Sequence, residues 1–308
     1  MKVLGIGNAI VDVLCKVDDQ FIKDHSLTKG TMKLVDEQEF KRLLSNLKIE
    51  STVSGGSVAN SIVGMSQLGD NVCFIGKVND DDLGHKYIDG LKKENVDYFY
   101  NVKKENIPTG TCLILITPDS ERTMCTFLGI AGQIDDNDID TNAIQNAEIT
   151  FLEGYLWDEG GPTKAFEKAL SAAKKSAMSL SDPFCVDRHK DSFFNLVKNK
   201  LDIIFANEKE AMSLIDAKNF DEVIEFGKSL NKLFIVTRSD KGSIAIEGND
   251  VSEAQAKSNL NIVDLTGAGD LFAAGFLHGY INKLSINESL KKGTEMSSKV
   301  IQQIGARL

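Results

Sequence analysis

Short apolar segments alternate with longer amphipathic segments along most of this chain. Six apolar, β-rich runs predict strands at residues 3–7, 72–76, 149–152, 177–181, 203–206 and 233–237. The segments between them have helical length and period; in residues 163–175, for example, Phe166, Leu170 and Ala173 fall on one helix face. Apolar strands separated by helices favour a mainly parallel sheet that is covered on both faces. We therefore predict a three-layer α/β fold.

Two regions interrupt this alternation, at residues 13–42 and 98–127. They have strand-like but more polar patterns, of which residues 110–117 are an example. We predict that both regions form a small β-sheet lid that protrudes from the core and covers the functional site. Residues 1–12, 43–97 and 128–308 would then form the large domain. No linker or internal repeat divides the chain.

Composition excludes several classes of function. The chain has 308 residues and a formal net charge of -10, with 35 basic and 45 acidic residues. Such a surface repels nucleic acids and anionic membranes, so we expect neither as a partner. No segment approaches the roughly 18 to 20 apolar residues of a membrane span, and the chain opens on a predicted strand rather than a signal peptide. The five scattered cysteines are typical of reduced, buried thiols, which predicts a cytoplasmic protein.

The segment Asp-Leu-Thr-Gly-Ala-Gly-Asp at residues 264–270 carries the strongest chemical signal. The turn Gly267-Ala268-Gly269 runs directly into an apolar segment, which predicts the N-terminus of a buried helix. Free N–H groups and the helix dipole bind anions there, such as a phosphoryl group. Asp270 is suited to accept a proton from a hydroxyl that attacks this group. The segment favours phosphoryl transfer to an alcohol; the alternative is a structural turn with Asp270 in the first helical turn.

A second glycine motif extends from Ser54 to Asn60. Gly55 and Gly56 allow backbone amides to approach a ligand closely, and Ser57 is a typical helix cap. Asn60 would lie on the first turn of that helix and could exchange hydrogen bonds with a polyol. The alternative is a well-capped structural helix.

The N-terminal segment 5–12 lacks the third glycine of a dinucleotide-binding fingerprint, since Ile10 occupies that place. The chain also lacks a P-loop sequence. Asn8 and Asp12 instead follow the carboxyl end of a predicted strand, where open α/β sheets bind ligands. Asp12 could accept hydrogen bonds from vicinal hydroxyls, or it could be a solvated turn residue.

Two further loops follow predicted strands. Asn207 and Glu210, in Asn-Glu-Lys-Glu, could hold a hydrated Mg²⁺ through water, although helix N-termini are commonly acidic. Thr237 and Gly242 lie in the next loop and suit nucleotide phosphates. Because the carboxyl ends of parallel strands share one edge of a sheet, all these features would meet in one cleft.

Taken together, the motifs resemble those of the ribokinase-like, or pfkB, carbohydrate and nucleoside kinases over essentially the full length. Residues 55–60 are similar to the first family signature and residues 264–270 to the second, in which Leu265 replaces the usual threonine. Asn207 and Glu210 match the family's magnesium-linked motif. The resemblance implies a ribokinase-like fold, ATP as phosphate donor and Mg²⁺ as cofactor.

Within this family, residues 5–12, 19–27, 55–61 and 121–124 are most similar to the adenosine-kinase group. By this resemblance Asp270 is the base, Gly267, Ala268 and Gly269 form the anion hole, and Arg122 reaches the transferring phosphate from the lid. The implied substrate-binding residues are Asn8, Asp12, Gly55, Gly56, Ser57 and Asn60. The implied nucleotide-binding residues are Asn207, Thr237, Gly242, Gly267 and Gly269. A potassium site would involve Asp264 and Thr266.

The sequence therefore predicts an ATP-dependent kinase of a nucleoside, adenosine first, acting on the 5′-hydroxyl as a monomer or homodimer. One alternative is a kinase of a free sugar such as ribose, fructose or a keto-deoxy acid, and a less favoured one is a non-catalytic binding protein. Only a nucleoside site needs an apolar slot for the base. Candidates for this slot are Leu14, Met32, Leu34, Phe127 and Trp157.

Overall fold

The computed structural model describes residues 1–119, 121–158 and 160–308, which form two β-sheets and twelve α-helices. The strands are β1 (Val3–Ile6), β2 (Ile10–Lys16), β3 (Met32–Leu34), β4 (Ile49–Ser54), β5 (Val72–Ile75), β6 (Asp97–Tyr98), β7 (Gly110–Ile116), β8 (Arg122–Phe127), β9 (Ile149–Glu153), β10 (Ser176–Ser179), β11 (Ile203–Asn207), β12 (Leu233–Thr237), β13 (Ser243–Glu247) and β14 (Asp250–Ala254).

The helices are α1 (Asp19–Asp24), α2 (Glu37–Leu44), α3 (Ser57–Gln67), α4 (Asp82–Lys93), α5 (Thr141–Asn146), α6 (Gly161–Ala172), α7 (Pro183–Arg188), α8 (Lys190–Asn199), α9 (Glu208–Leu214), α10 (Phe220–Leu230), α11 (Ala268–Ile281) and α12 (Ile286–Val300). Short 3₁₀ turns lie at Gly129–Gln133, Asp136–Asp138, Gly154–Leu156 and Ser239–Lys241.

The large sheet has nine strands in the order β14-β13-β12-β11-β10-β9-β1-β5-β6. All neighbours from β12 to β6 pair in parallel, whereas β13 and β14 form an antiparallel edge. The six strands predicted from the apolar runs are all present, as β1, β5, β9, β10, β11 and β12. The mainly parallel sheet of the prediction is therefore confirmed.

Helices cover both faces of this sheet, because its central strands alternate apolar side chains between two cores. Val3 of β1 packs in a core that includes α3, α4, α11 and α12. Leu4 and Ile6 of the same strand face the opposite core, which includes α5 to α10. Since both faces of a parallel strand are buried, its residues are apolar throughout. The structure has the predicted three layers.

The small sheet has five strands in the order β3-β8-β7-β2-β4. Its side chains also alternate: Val13, Leu113 and Cys125 pack on α1 and α2. Ile10, Cys112 and Ile114 form a separate apolar cluster. Cys112 and Ile10 line a cleft between this sheet and the large domain. The small sheet thus faces this cleft on one side and carries its own helices on the other.

The boundaries of this sheet differ from the predicted lid segments 13–42 and 98–127. Strand β4 was assigned to the large domain but forms the edge of the small sheet. Its first five residues are exposed, and its sequence does not alternate between apolar and polar residues. The pattern that predicts a strand is therefore absent. β2 begins at Ile10, before the predicted boundary, and the two-residue strand β6 pairs with β5 in the large sheet.

None of the helices in the described part of the chain has the length and apolar character of a membrane-spanning helix. All five cysteines are buried free thiols. The carboxyl ends of the parallel strands lie at one edge of the large sheet. This edge faces the small sheet across the cleft. This edge holds the residues on which the sequence analysis depends.

Candidate active site

A cleft of about 1030 Å³ follows the carboxyl ends of the strands. Predicted site residues that line it are Asn8, Asp12, Gly56, Ser57, Asn207, Glu210, Thr237, Gly242, Thr266, Gly267, Ala268, Gly269 and Asp270. They come from loops and strands across the whole chain, and the structure brings them to one cleft. Three other predicted residues, Gly55, Asn60 and Asp264, contact the lining residues from behind. Arg122 pairs with Asp264 and does not line the cleft.

The turn before α11 has the form expected of an anion site. Gly267, at the N-cap, has a left-handed backbone with φ 78°. A Cβ atom at this position would lie 2.6 Å from the Cα atom of Ala306, so only glycine fits. Among the described residues no side chain caps this first turn. Ala268 N donates to the carbonyl oxygen of Leu265 at 3.2 Å. Gly267, Ala268 and Gly269 line the cleft, so the positive end of the helix dipole lies at the cleft.

Asp270 lies on the first turn of α11, in the middle of the cleft. Its carboxylate accepts hydrogen bonds from Ser57 Oγ at 2.6 Å and from Asn60 Nδ2 at 3.0 Å. Burial raises the pKa of Asp270 above its usual range, while the bonds from Ser57 and Asn60 and the charge of Arg307 lower it. The two donors fix the orientation of a carboxylate that lies next to the candidate anion site.

The second glycine motif brings the start of α3 against the loop after β1. Gly56 has φ 95°, and a Cβ there would lie 2.3 Å from the carbonyl oxygen of Asn8. The N-cap residue of α3 is Gly56, which has no side chain that could cap the helix. The prediction that Ser57 caps this helix is therefore wrong. Ser57 is the first helical residue, which directs its hydroxyl at Asp270.

Glu153, which the sequence analysis did not identify, joins these parts. It ends β9 and is 1% exposed. One carboxylate oxygen accepts from Asn8 N at 3.3 Å and Asn8 Nδ2 at 3.0 Å, and the other from Val58 N at 3.0 Å. Burial raises the pKa of Glu153 to about 7. The sequence signal that could have identified Glu153 is a single glutamate at the end of an otherwise apolar strand.

The bond to Glu153 leaves the other end of the Asn8 amide free. Asn8 is 3% exposed, and its Oδ1 atom has no hydrogen-bond partner among the residues that the structure describes. A buried polar atom without a partner is costly, typically by about 1–3 kcal/mol. Because Asn8 lines the cleft, Oδ1 can accept a hydrogen bond from a ligand hydroxyl.

Asp12 reaches the cleft from the small sheet. The sequence placed it just past the carboxyl end of a strand, but it lies within β2, between the buried residues Val11 and Val13. Burial raises the pKa of Asp12 to about 7, although Arg307 and Arg122 oppose this shift. A Cβ atom at Gly55 would lie 2.5 Å from an Asp12 oxygen, so the glycine leaves room for this carboxylate.

Asn207 and Glu210 bond to each other as a capping box at the start of α9. Asn207 N donates to Glu210 Oε2 at 2.9 Å, and Glu210 N donates to Asn207 Oδ1 at 2.9 Å. Burial raises the pKa of Glu210 to about 7. No group of three or more potential metal ligands of the His, Cys, Asp and Glu types occurs in the described ranges. The pair lines the cleft, so it can contact Mg²⁺ through water.

Asp264 is engaged by protein donors on both oxygens. Oδ1 accepts from the backbone and hydroxyl of Thr266, at 3.0 and 2.7 Å, and Oδ2 accepts from Gly305 N at 2.7 Å. Arg122 Nη2 lies 2.9 Å from Oδ2, and both side chains are nearly buried. A carboxylate has about four acceptor sites, and these contacts use them. The side chains of Asp264 and Thr266 therefore do not fit the predicted potassium site.

Two of the five candidates for an apolar slot line the cleft. Met32 and Leu34 line the cleft and are 39% and 45% exposed. Phe127 instead packs near Phe40, in the core between the small sheet and its helices. Trp157 packs on Phe166 and Phe193 in the large domain. Leu14 packs in the apolar cluster of Ile10 and Cys112.

The pfkB carbohydrate kinase family matches this chain over residues 32–308. The chain belongs to this family. Its relatives are kinases, and it is accordingly a phosphotransferase that acts on a hydroxyl group.

The relatives of this pfkB kinase are named for different substrates. The structure of adenosine kinase from Sinorhizobium meliloti has 36% identity and a TM-score of 0.92, covering 100% of this chain and 95% of that one. A probable sugar kinase from Rhizobium etli has 35% identity and a TM-score of 0.92, covering 99% and 94%. A 5-dehydro-2-deoxygluconokinase from Clostridium botulinum is 27% identical, covering 85% of this chain and 82% of the relative.

The position of Glu153 predicts a pH-dependent stability. Its pKa rises from an ordinary 4.5 to about 7 on folding. The folded state therefore binds more protons than the unfolded state between these pH values, and stability falls as pH rises through this window. In Glu153→Gln the side chain cannot titrate. Between pH 5 and 8 we expect the parent to lose up to roughly 3 kcal/mol more unfolding free energy than this variant.

Urea unfolding at several pH values measures this difference. Glu148→Gln is the matched control, because Glu148 immediately precedes the same strand but its side chain is 46% exposed. Equal pH slopes for the parent and Glu153→Gln would show that burial does not shift the titration of Glu153.

Proposed function

We propose that this pfkB kinase transfers the γ-phosphoryl group of ATP to the 5′-hydroxyl of adenosine. The observation that carries the proposal is the position of Asp270. It is held by Ser57 and Asn60 beside the uncapped N-terminus of α11. A hydroxyl bound between Asp270 and this turn would meet a proton acceptor and an anion site together.

The acceptor would lie at the end of the cleft that Asn8 and Asp12 line. The free Oδ1 of Asn8 and the carboxylate of Asp12 are acceptors, which suits the vicinal hydroxyls of a ribose. Met32 and Leu34 offer apolar surface in the same cleft, which suits a planar base. The 36% identity to an adenosine kinase supports the same choice.

ATP would lie at the other end, where Thr237 and Gly242 line the cleft after β12. Mg²⁺ held through water by Asn207 and Glu210 would supply positive charge to the phosphates. Asp270 takes the proton of the attacking hydroxyl, and the N–H groups of Gly267, Ala268 and Gly269 stabilise negative charge on the transferred group. Positioning and electrostatics dominate this kind of reaction.

Arg122 would contribute from the small sheet. Its guanidinium now pairs with Asp264 at the edge of the signature turn. We propose that it exchanges this partner for the transferring phosphate when the small sheet closes over bound substrates. Buried free thiols favour a cytoplasmic enzyme. The monomer or homodimer stays a prediction.

Acceptor preference is the first test of this proposal. Purified enzyme is assayed with ATP and Mg²⁺ against adenosine, guanosine, inosine, ribose, fructose, 2-keto-3-deoxygluconate and 5-dehydro-2-deoxygluconate. We expect adenosine to give the highest kcat/KM, because free sugars leave the apolar surface of Met32 and Leu34 unfilled. The sugar-kinase relatives make the alternative concrete: a sugar that exceeds adenosine by tenfold or more would contradict the proposal.

Asp270→Asn tests the base. The amide cannot take the hydroxyl proton, so we expect kcat to fall by roughly 10² to 10⁴. Binding of adenosine and ATP should persist, because the side chain keeps its size and one acceptor for Ser57. Single-turnover rates, calorimetric titrations and melting temperature are measured together. Asp221→Asn, an exposed first-turn aspartate of α10, is the control for loss of one negative charge.

Turnover of Asp270→Asn within threefold of the parent, with intact binding, would show that the proton goes elsewhere. The anion site could then still act, but Asp270 would not be the base.

Closure of the small sheet is tested by hydrogen exchange with and without adenosine. We expect slower exchange in β2, β4, β7 and β8 with adenosine bound, because closure removes water from the cleft. The helix α10, on the outer layer of the large domain, is the internal control. Unchanged exchange in all four strands would contradict a moving lid.

A further inference from the structure

Arg307 reaches the candidate active site from the irregular segment that follows α12. Its Nε atom donates to Asn60 Oδ1 at 2.9 Å. Asn60, which is 5% exposed, donates in turn from Nδ2 to Asp270 Oδ2 at 3.0 Å. A continuous path of hydrogen bonds therefore links a cation to the proposed base. No motif of the sequence analysis gave Arg307 a role.

The chemistry of the three side chains fixes the orientation of the Asn60 amide. Arginine is a donor only, so Asn60 must present its oxygen to Arg307. An ionised Asp270 is an acceptor only, so Asn60 must present its NH₂ group to Asp270. Both neighbours require the same orientation, and without Arg307 one of the two constraints would be lost.

Arg307 also opposes the negative charge around Asp270. The carboxyl groups that interact with Asp270 from neighbouring elements are Asp12 of β2 and Glu153 of β9. Tyr87 of α4 and Glu94, which follows α4, act on Arg307 itself. Burial raises the pKa of Asp270, and the charge of Arg307 lowers it. Arg307 acts in the same direction on Asp12.

The segment that carries Arg307 is tied to the active-site elements. Ala306 packs against Gly267, and Gly305 N donates to Asp264 at 2.7 Å. Gln67 of α3 donates to the carbonyl oxygen of Leu308 at 3.0 Å. These contacts place the guanidinium behind Asn60, outside the cleft surface.

The geometry of Arg307 is costly for stability alone. Its Nη2 atom is buried without a hydrogen-bond partner in the described part of the chain. An arginine that served packing would be expected to satisfy its donors or to remain in water. Features that break such rules concentrate at functional sites.

We propose that Arg307 is a positioning residue for phosphoryl transfer: through Asn60 it orients the Asp270 carboxylate, and its buried positive charge stabilises the negative charge of that carboxylate. This role rests on the proposed function of Asp270 as the base. Arg307 itself does not touch the acceptor or the phosphate.

The experiment is the pH dependence of kcat for the parent and three variants, with the acceptor that the parent uses best. Arg307→Met removes the charge and the donor. Loss of the charge should move the acidic limb of the profile to higher pH by about one unit, since an opposite charge nearby lowers a carboxyl pKa by about that much or more. The plateau should also fall by roughly tenfold, about 1.4 kcal/mol in barrier. KM for the acceptor should change by less than threefold, because Arg307 lies outside the cleft surface.

Two conservative variants separate the effects. Arg307→Gln keeps a donor for Asn60 without the charge, so the limb should still move while the plateau recovers in part. Arg307→Lys keeps the charge, so the limb should return to its parental position. Lys299→Met removes one positive charge from an exposed position on α12 and should leave both features unchanged.

Melting temperatures accompany every profile. A limb that stays in place in both Arg307→Met and Arg307→Gln would overturn the proposal and leave Arg307 a structural role. If Arg307→Met does not fold, the position of the acidic limb in Arg307→Gln alone tests the proposal. A shift of the acidic limb in Arg307→Lys would also contradict the charge effect. Failure of the proposed function has a different signature: Asp270→Asn would retain turnover, or a sugar would replace adenosine as the best acceptor.

Discussion

A carboxylate and the helix N-terminus that we propose as the anion site occupy the same small space in this protein. Asp270 would repel an incoming phosphate, and burial already disfavours its charged form. The structure offsets both effects with hydrogen bonds from Ser57 and Asn60 and with the charge of Arg307. Because these residues come from α3 and from the segment after α12, the packing of both against α11 is a condition for the proposed chemistry.

Three further carboxyl groups at the cleft are buried in the same way. Asp12, Glu153 and Glu210 each have a pKa raised to about 7 by burial. Each of them lowers the stability of the fold as the pH rises towards neutrality. Their positions explain why they are useful: Asp12 and Glu210 line the cleft, and Glu153 holds Asn8 so that one buried amide oxygen stays free. The proposed function would therefore be maintained at a cost to stability.

Sequence patterns predicted the parts of this molecule that depend on local periodicity. The apolar strands β1, β5 and β9 to β12, and the glycine turns before α3 and α11, are where they were expected. The polar strand β4 and the position of Asp12 within β2 were missed, because neither shows an alternating pattern that continues on both sides. Glu153 and Arg307 carry no motif; only tertiary contacts bring them to Asn8 and Asn60. The ion pair of Arg122 with Asp264 likewise joins β8 of the small sheet to the segment before α11. Local sequence does not encode such a contact.

The most direct measurement is a crystal structure of the enzyme with adenosine and a non-hydrolysable ATP analogue. This account predicts that an Asp270 carboxylate oxygen lies about 2.6–3.2 Å from the 5′-hydroxyl, with the γ-phosphate analogue at the N–H groups of Gly267–Gly269. Asn8 and Asp12 should contact the ribose hydroxyls. A complex in which the 5′-hydroxyl faces another acceptor, or in which the phosphate lies away from the start of α11, would contradict it.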